Sequence, residues 1–228
     1  MYYSILGDSI STLQGYNPCG YNVFYEGTNC IRSGVHAYGD TWWGRVIDHF
    51  GGELLVNNSW SGSRVSMQPG RGELFPSGCS EERTSGLHKG TTKPDVILLY
   101  LGTNDWGVGA GVHKPAYRTI DDDYNMEYFD CAYDRMLEKL TGNYPEAEIC
   151  CFTLCKSCLA ADESVPFPRR IGGTDIEEYV EVIRQMCAKY HCKLIDLWKT
   201  QTAYATIDGS HANAQGMKTI AETVIKMM

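Results

Sequence analysis

The sequence predicts an α/β fold of the doubly wound kind, one parallel five-stranded sheet with helices on both faces. Three observations predict it. Short, almost continuously apolar runs recur at 2–6, 53–56, 95–101, 148–154 and 192–195, and unbroken rather than alternating hydrophobicity marks strands buried on both faces. Stretches with helical periodicity fall between them and after the last. The 228 residues are 43% hydrophobic and 21% charged, an ordinary globular composition on a chain long enough to bury a large core. No internal repeat, low-complexity tract or linker interrupts the pattern, so residues 1–228 are expected to form a single domain.

The elements follow in order. The first strand, Tyr3-Ser4-Ile5-Leu6, breaks into Gly7-Asp8-Ser9-Ile10-Ser11, a strand that ends in a sharp turn with a serine on it. Asp40 or Thr41 can cap a helix through Trp42, Trp43, Val46, Ile47 and Phe50, which Gly51-Gly52 ends. The second strand runs into Asn57-Asn58-Ser59-Trp60-Ser61-Gly62, and the third into Leu101-Gly102-Thr103-Asn104-Asp105. A second helix is read at 125–140, ending near Gly142. A third follows Thr174 as cap, with Glu177 at capping-box spacing and Asp175 and Glu178 early in the helix. The last helix closes the chain after Asp208-Gly209-Ser210-His211. Long loops at 14–39, 63–94, 106–124 and 156–173 follow the first four strands. Ligands of open α/β sheets bind beyond the carboxyl ends of the strands, so these loops are either a built-up binding rim or decoration of the scaffold.

Of these four polar segments the first three follow strands and converge at one edge of a parallel sheet, and the fourth precedes the last helix. Singly each is ordinary: Ser9 as a helix cap, Asn104 as a turn residue, His211 as a surface histidine. Together they supply a nucleophile, a base with an acid three residues before it, and an amide donor, which is the inventory for acyl transfer.

On these residues the chain resembles the GDSL/SGNH hydrolases, esterases on a flavodoxin-like three-layer α/β/α fold. The first block of the family matches Gly7-Asp8-Ser9, with Ile10 where the family name has Leu. The second matches Asn58 and Gly62, the third Gly102-Thr103-Asn104-Asp105, and the fifth Asp208-Gly209-Ser210-His211. Ala212 stands where many members have proline and touches no chemical group. The resemblance implies Ser9 as nucleophile, His211 as base and Asp208 as the acid that orients it. It also implies an oxyanion hole from the N–H groups of Ser9 and Gly62 and the Asn104 amide, with no metal and no cofactor. The early serine then has a reason, because the turn after a central strand lies beside the strand-order switch.

Substrate clues are fewer. Trp60 and Trp106 flank the hole segments and either line a substrate pocket or pack the core. Arg64 either meets an anionic group of the substrate or makes a surface ion pair. The loop from Tyr16 to Tyr25 carries three tyrosines with Asn and Gly, a mixture suited to a sugar. A small-acyl ester of a carbohydrate is the favoured substrate. A lysophospholipase or thioesterase, or a binding module on the hydrolase fold, is the alternative.

The net charge of −8 argues against nucleic acid or an anionic membrane as partner. No stretch approaches the ~20 apolar residues of a membrane span, and the N-terminus lacks the basic and apolar regions of a signal peptide. A cytoplasmic protein acting on a small molecule is expected, though a secreted protein trimmed of its leader would read the same. Of ten cysteines, Cys150 and Cys151 read as small hydrophobes. Cys155 and Cys158 form one C-x-x-C with no second pair, read as reduced thiols ahead of a metal or redox site.

Overall fold

The computed structural model describes residues 1–67, 75–112, 125–160, 170–171 and 174–228. The first half alternates strands and helices: β1 (Tyr2–Gly7), α1 (Gly27–Ser33), α2 (Trp42–Phe50), β2 (Glu53–Ser59), α3 (Glu81–Ser85), β3 (Val96–Tyr100) and α4 (Thr103–Val108). Then come α5 (Phe129–Asn143), β4 (Glu148–Phe152), β5 (Lys156–Leu159) and a small hairpin of β6 (Arg170–Ile171) with β7 (Thr174–Asp175). Helix α6 (Ile176–Lys189), β8 (Lys193–Ile195), β9 (Ala203–Thr206) and α7 (Ala214–Met227) follow.

Five strands form the expected parallel sheet, in the order β2-β1-β3-β4-β8. The chain leaves β1 toward β2 on one side and returns to place β3 on the other. The switch in strand order therefore falls between β1 and β3, at the turn that carries Ser9. Register brings the strand ends level: Gly7 pairs with Ser59 of β2 and with Tyr100 of β3.

Continuous hydrophobicity in these strands has the predicted cause. Ile5, Leu98, Tyr100 and Phe152 pack with Trp42, Trp43 and Val46 of α2 and Val224 of α7. Their neighbours along each strand, Leu6, Ile97, Leu99 and Cys151, pack on the other face with Phe129 and Met136 of α5 and Val180 of α6. Each such side chain fully withdrawn from water contributes roughly 1.5–3 kcal/mol of transfer free energy, so the two cores hold the sheet from both sides.

Several boundaries differ from expectation, each for a local reason. Thr41 caps α2, its Oγ1 accepting from Gly44 N at 2.9 Å, while Asp40 accepts from His36 N and Ala37 N in the preceding turn. Asp175, not Thr174, caps α6, which starts at Ile176, by accepting from Glu177 N at 3.1 Å. Helix α5 starts at Phe129 rather than 125, since Asn125 Oδ1 binds Glu127 N at 3.0 Å and holds a turn there. Strand β2 runs past Val56 to Ser59. Its polar end is tolerated because Asn57 Nδ2 donates to Ser11 O at 2.8 Å and Asn58 Nδ2 to Gly86 O at 3.1 Å.

The long loops are partly structured by α1, α3, α4 and β5, while their residues 68–74, 113–124, 161–169 and 172–173 lie outside the described residues. Strands β5 and β9 form a separate parallel pair. Cys155 and Cys158 form no disulfide; their thiols donate to Thr202 O at 3.4 Å and Tyr204 O at 3.7 Å. Burial pushes the Cys155 thiol up to about 12, so it stays protonated. Among the described residues no helix is long and apolar enough to cross a membrane.

Candidate active site

A strand that ends in glycine must hand its last polar groups to a turn, and here the turn is a single 3-10 turn, Ser9–Ser11. Asp8 caps it, its Oδ1 accepting from Ile10 N at 3.0 Å. The cap is itself buried at 2% exposure. Burial raises the Asp8 carboxyl to about 7, against the pull of the Ile10 N–H; Asp105 adds to the rise and Arg83 opposes it.

The turn presents Ser9 to His211. Ser9 Oγ lies 3.0 Å from His211 Nε2, and His211 Nδ1 lies 2.7 Å from Asp208 Oδ2. The three side chains, 202 positions apart at the extremes, thus form one hydrogen-bonded row. With the proton on Nδ1 donated to Asp208, Nε2 has its lone pair toward the serine hydroxyl. Burial alone would raise the Asp208 carboxyl, but hydrogen bonds from His211 N–H, the His211 ring and Ser210 N–H outweigh it and hold it below the usual carboxylate value.

The histidine segment leaves β9 and is pinned on several sides. Ile207 N donates to His211 O at 3.0 Å, and Ser157 Oγ of β5 donates to Gly209 O at 2.6 Å. Tyr204 Oη donates to Ser210 O at 3.0 Å and the fully buried Tyr25 Oη to Ala212 O at 2.8 Å. Tyr25 is therefore not part of a sugar-binding surface; it anchors the segment that carries the base. Phe24 beside it stacks on the His211 ring, with centroids 3.5 Å apart and planes inclined by 6°. Thr12 Oγ1 accepts from Phe24 N and donates to Ser9 O. One hydroxyl thus ties the aromatic cover of the base to the turn of the nucleophile.

The oxyanion donors expected from the sequence gather on the other side. Trp60 N donates to Gly7 O at 3.2 Å, which sets the turn after β2 beside the Ser9 turn. Gly62 holds φ at +84°, a conformation that any side chain would strain. Asn104 Nδ2 donates to Ser63 O at 2.9 Å, and a carboxamide has a second N–H left to give. Asp105 is fully buried and accepts from Val65 N and Ser66 N, both at 2.9 Å. Among the described residues the N–H groups of Ser9 and Gly62 meet no protein acceptor. Ser9 is buried and Gly62 exposed, and the bond from Trp60 N to Gly7 O brings the two turns together.

The residues expected to bind substrate fall in different places. Trp106 is buried, donates from Nε1 to Thr174 O at 3.3 Å, and lines a pocket of about 210 Å³ with Asn104, Leu154, Ile176, Tyr204 and Ser210. Trp60 is half-buried and packs against Tyr21, with ring centroids 4.2 Å apart and planes inclined by 38°. Arg64 is 5% exposed, which rules out the surface ion pair, and its Nε and Nη2 make no hydrogen bond among the described residues.

Sequence reasoning missed Phe24, Tyr25 and above all Arg83, which is wholly buried behind the turns of Ser9 and Gly62. Arg83 stands in a run of Ser, Glu, Arg and Thr that reads as solvated loop, so composition carried no signal.

The sequence matches the family described as GDSL-like Lipase/Acylhydrolase over residues 1–164. A crystal structure from Bacteroides ovatus assigned to the GDSL-like lipases is similar at a TM-score of 0.72, with 25% identity over 98% of this chain and 95% of that one. Another so assigned, from Bacteroides uniformis, has 28% identity and a TM-score of 0.66 over 99% and 93% of the two chains. A carbohydrate acetylesterase from Sinorhizobium meliloti shares the fold at a TM-score of 0.61 and 16% identity, over 99% of this chain and 95% of that one. No match was found among curated proteins.

Proposed function

The chain belongs to the GDSL-like lipase/acylhydrolase family, and from that premise we propose that residues 1–228 act as one serine esterase unit, cleaving a short-chain acyl ester, acetyl above all, from a carbohydrate. The observation that carries the reading is the row Ser9–His211–Asp208 beside two N–H groups without acceptors. Ser9 Oγ attacks the ester carbonyl as His211 Nε2 takes its proton, and Asp208 stabilises the imidazolium. The tetrahedral oxyanion accepts from Ser9 N–H, Gly62 N–H and the free Asn104 N–H. Collapse breaks the bond to the alcohol oxygen, which leaves with the proton from His211. Water, deprotonated by His211, then attacks the acyl-serine and releases the acid. No step calls for a metal or cofactor.

The pocket beside Asn104 suits the acyl group, since it adjoins the carbonyl's expected position and is walled by Trp106, Leu154 and Ile176. Those apolar walls also favour a second reading, a lysophospholipase or thioesterase with a longer chain. The sugar reading takes support from the adjoining Tyr21 and Trp60 rings and from the fold shared with a carbohydrate acetylesterase. A fluorophosphonate probe is expected to label Ser9 and nothing in Ser9→Ala; absence of labelling would favour a binding module. Acid release from acetylated sugars, set against p-nitrophenyl esters from two to twelve carbons, separates the two esterase readings. A rate that climbs steadily with chain length would overturn the acetyl assignment.

A further inference from the structure

Resting on the esterase reading, we propose that Arg83 is a positioning residue of the oxyanion hole, a single buried guanidinium that locks together the two turns bearing the Ser9 and Gly62 N–H groups. The geometry is specific. Arg83 Nη2 donates to Gly7 O and to Asn58 O, both at 3.0 Å. Arg83 Nη1 donates to Ser63 Oγ at 2.8 Å and to Pro76 O at 3.1 Å. Gly7 is the last residue of β1, two before Ser9. Asn58 lies near the end of β2, and Ser63 adjoins Gly62. One planar group therefore touches the ends of the two strands that deliver the backbone oxyanion donors, and the residue beyond the second of them.

The side chain is fully buried, and among the described residues it makes no ion pair with a carboxylate. Taking an unpaired guanidinium out of water is costly, so its presence needs a reason beyond filling space. Burial lowers its pKa to about 10, which leaves it charged at neutral pH. The charge lies behind the position where negative charge develops in the transition state, and fixed charge in a water-poor site acts strongly there. Lysine does not substitute, because four directional bonds need the planar fork.

The test compares Arg83→Lys and Arg83→Met with wild type on p-nitrophenyl acetate. Active sites are counted by fluorophosphonate titration, so unfolded protein drops out, and Tm is recorded alongside. Arg83→Met is expected to lower kcat per titrated site by about 10- to 100-fold, a part of the 10²–10³ typical of losing a donor outright, with KM changed less than threefold. Arg83→Lys should fall between. A trifluoromethyl ketone, which forms a tetrahedral adduct on serine, should lose affinity in parallel with kcat/KM. A role confined to stability would lower Tm and leave kcat per site and ketone affinity in place. Should Arg83→Met not fold, Arg83→Lys decides alone. A kcat within threefold of wild type in the variants that fold, or a loss seen only in KM, would overturn the inference. A wild type inert to probe and esters would instead overturn the esterase reading, and this inference with it.

Discussion

Replacing Asp8 by Asn tests whether the residue before the nucleophile is a buried acid that prefers its neutral form. The structure makes the substitution clean. Asp8 Oδ1 accepts from Ile10 N, and an Asn carbonyl oxygen can take the same bond, so the cap is kept and only the charge is lost. Burial raises the folded-state carboxyl from 3.8 to about 7. The sign follows from linkage: where the folded state holds the proton more tightly, stability is full below the unfolded value and is lost as pH rises through the folded one. At about 1.4 kcal/mol per pH unit, that interval is worth about 4 kcal/mol, of which about 2–3 kcal/mol falls between pH 5 and 8. Urea unfolding of wild type and Asp8→Asn at pH 5, 6, 7 and 8 isolates the contribution, because every other group titrates equally in both. Asp8→Asn should gain on wild type as pH rises. A difference that stays flat from pH 5 to 8 would refute the reasoning: Asp8 would then be ionised in the fold, with Arg83 acting as its counter-ion at a distance.

Four further outcomes are expected. Asn104→Ala should lower kcat by about 10²–10³ with Tm nearly unchanged, since it removes one oxyanion donor; a loss under threefold would take Asn104 out of the hole. On a neutral ester, His211→Ala should lose nearly all turnover, since it removes the base that takes the Ser9 proton; a variant that keeps more than about a tenth of the wild-type kcat would remove His211 from the mechanism. Tyr25→Phe leaves Ala212 O without its buried donor and should cost about 1–2 kcal/mol in denaturant unfolding, with kcat falling as the base is less well held. Trp106→Ala enlarges the pocket beside Asn104 and should shift the preferred p-nitrophenyl ester by several carbons toward longer chains.

Much of this was legible in the sequence because the information is local. Ile5-Leu6 and Ile97-Leu98-Leu99 announce strands that alternate between two cores, and Gly7, Gly62, Asn104 and His211 each sit just beyond a recognisable strand or before a helix. What the sequence hid depends on long-range contact. Asn57 and Asn58 read as a turn, yet they extend β2 because Ser11 and Gly86 supply acceptors from distant segments. Tyr25 reads as a loop aromatic, yet its hydroxyl meets Ala212 across 187 positions. The burial of Arg64 and Arg83 left no mark in the sequence, since nothing local distinguishes a buried arginine from a solvated one. The cap of α6 is a smaller case: Thr174 and Asp175 are both good caps, and the helix starts one residue later than the Thr174 cap requires.

The hidden residues share a purpose that physical chemistry makes intelligible. Below Ser9 the two cores are apolar, and apolar packing is strong but non-directional. The turns at the strand ends have left the ladder, so their backbone groups need other partners. Asp8, Arg83 and Asp105, all buried, supply them: Asp8 to Ile10 N, Arg83 to Gly7 O and Asn58 O, Asp105 to Val65 N and Ser66 N. The bonds of the charged Arg83 guanidinium contribute about 1.5–3 kcal/mol each, and all of these bonds are directional in a way that packing is not. Burying three ionisable groups works against stability, as the raised Asp8 and lowered Arg83 pKa values record. An oxyanion hole, however, needs its N–H groups held within about 0.5 Å. Directional bonds to buried ionisable groups can hold turns to that tolerance, so the layer under the serine gives up stability where the proposed chemistry needs rigidity.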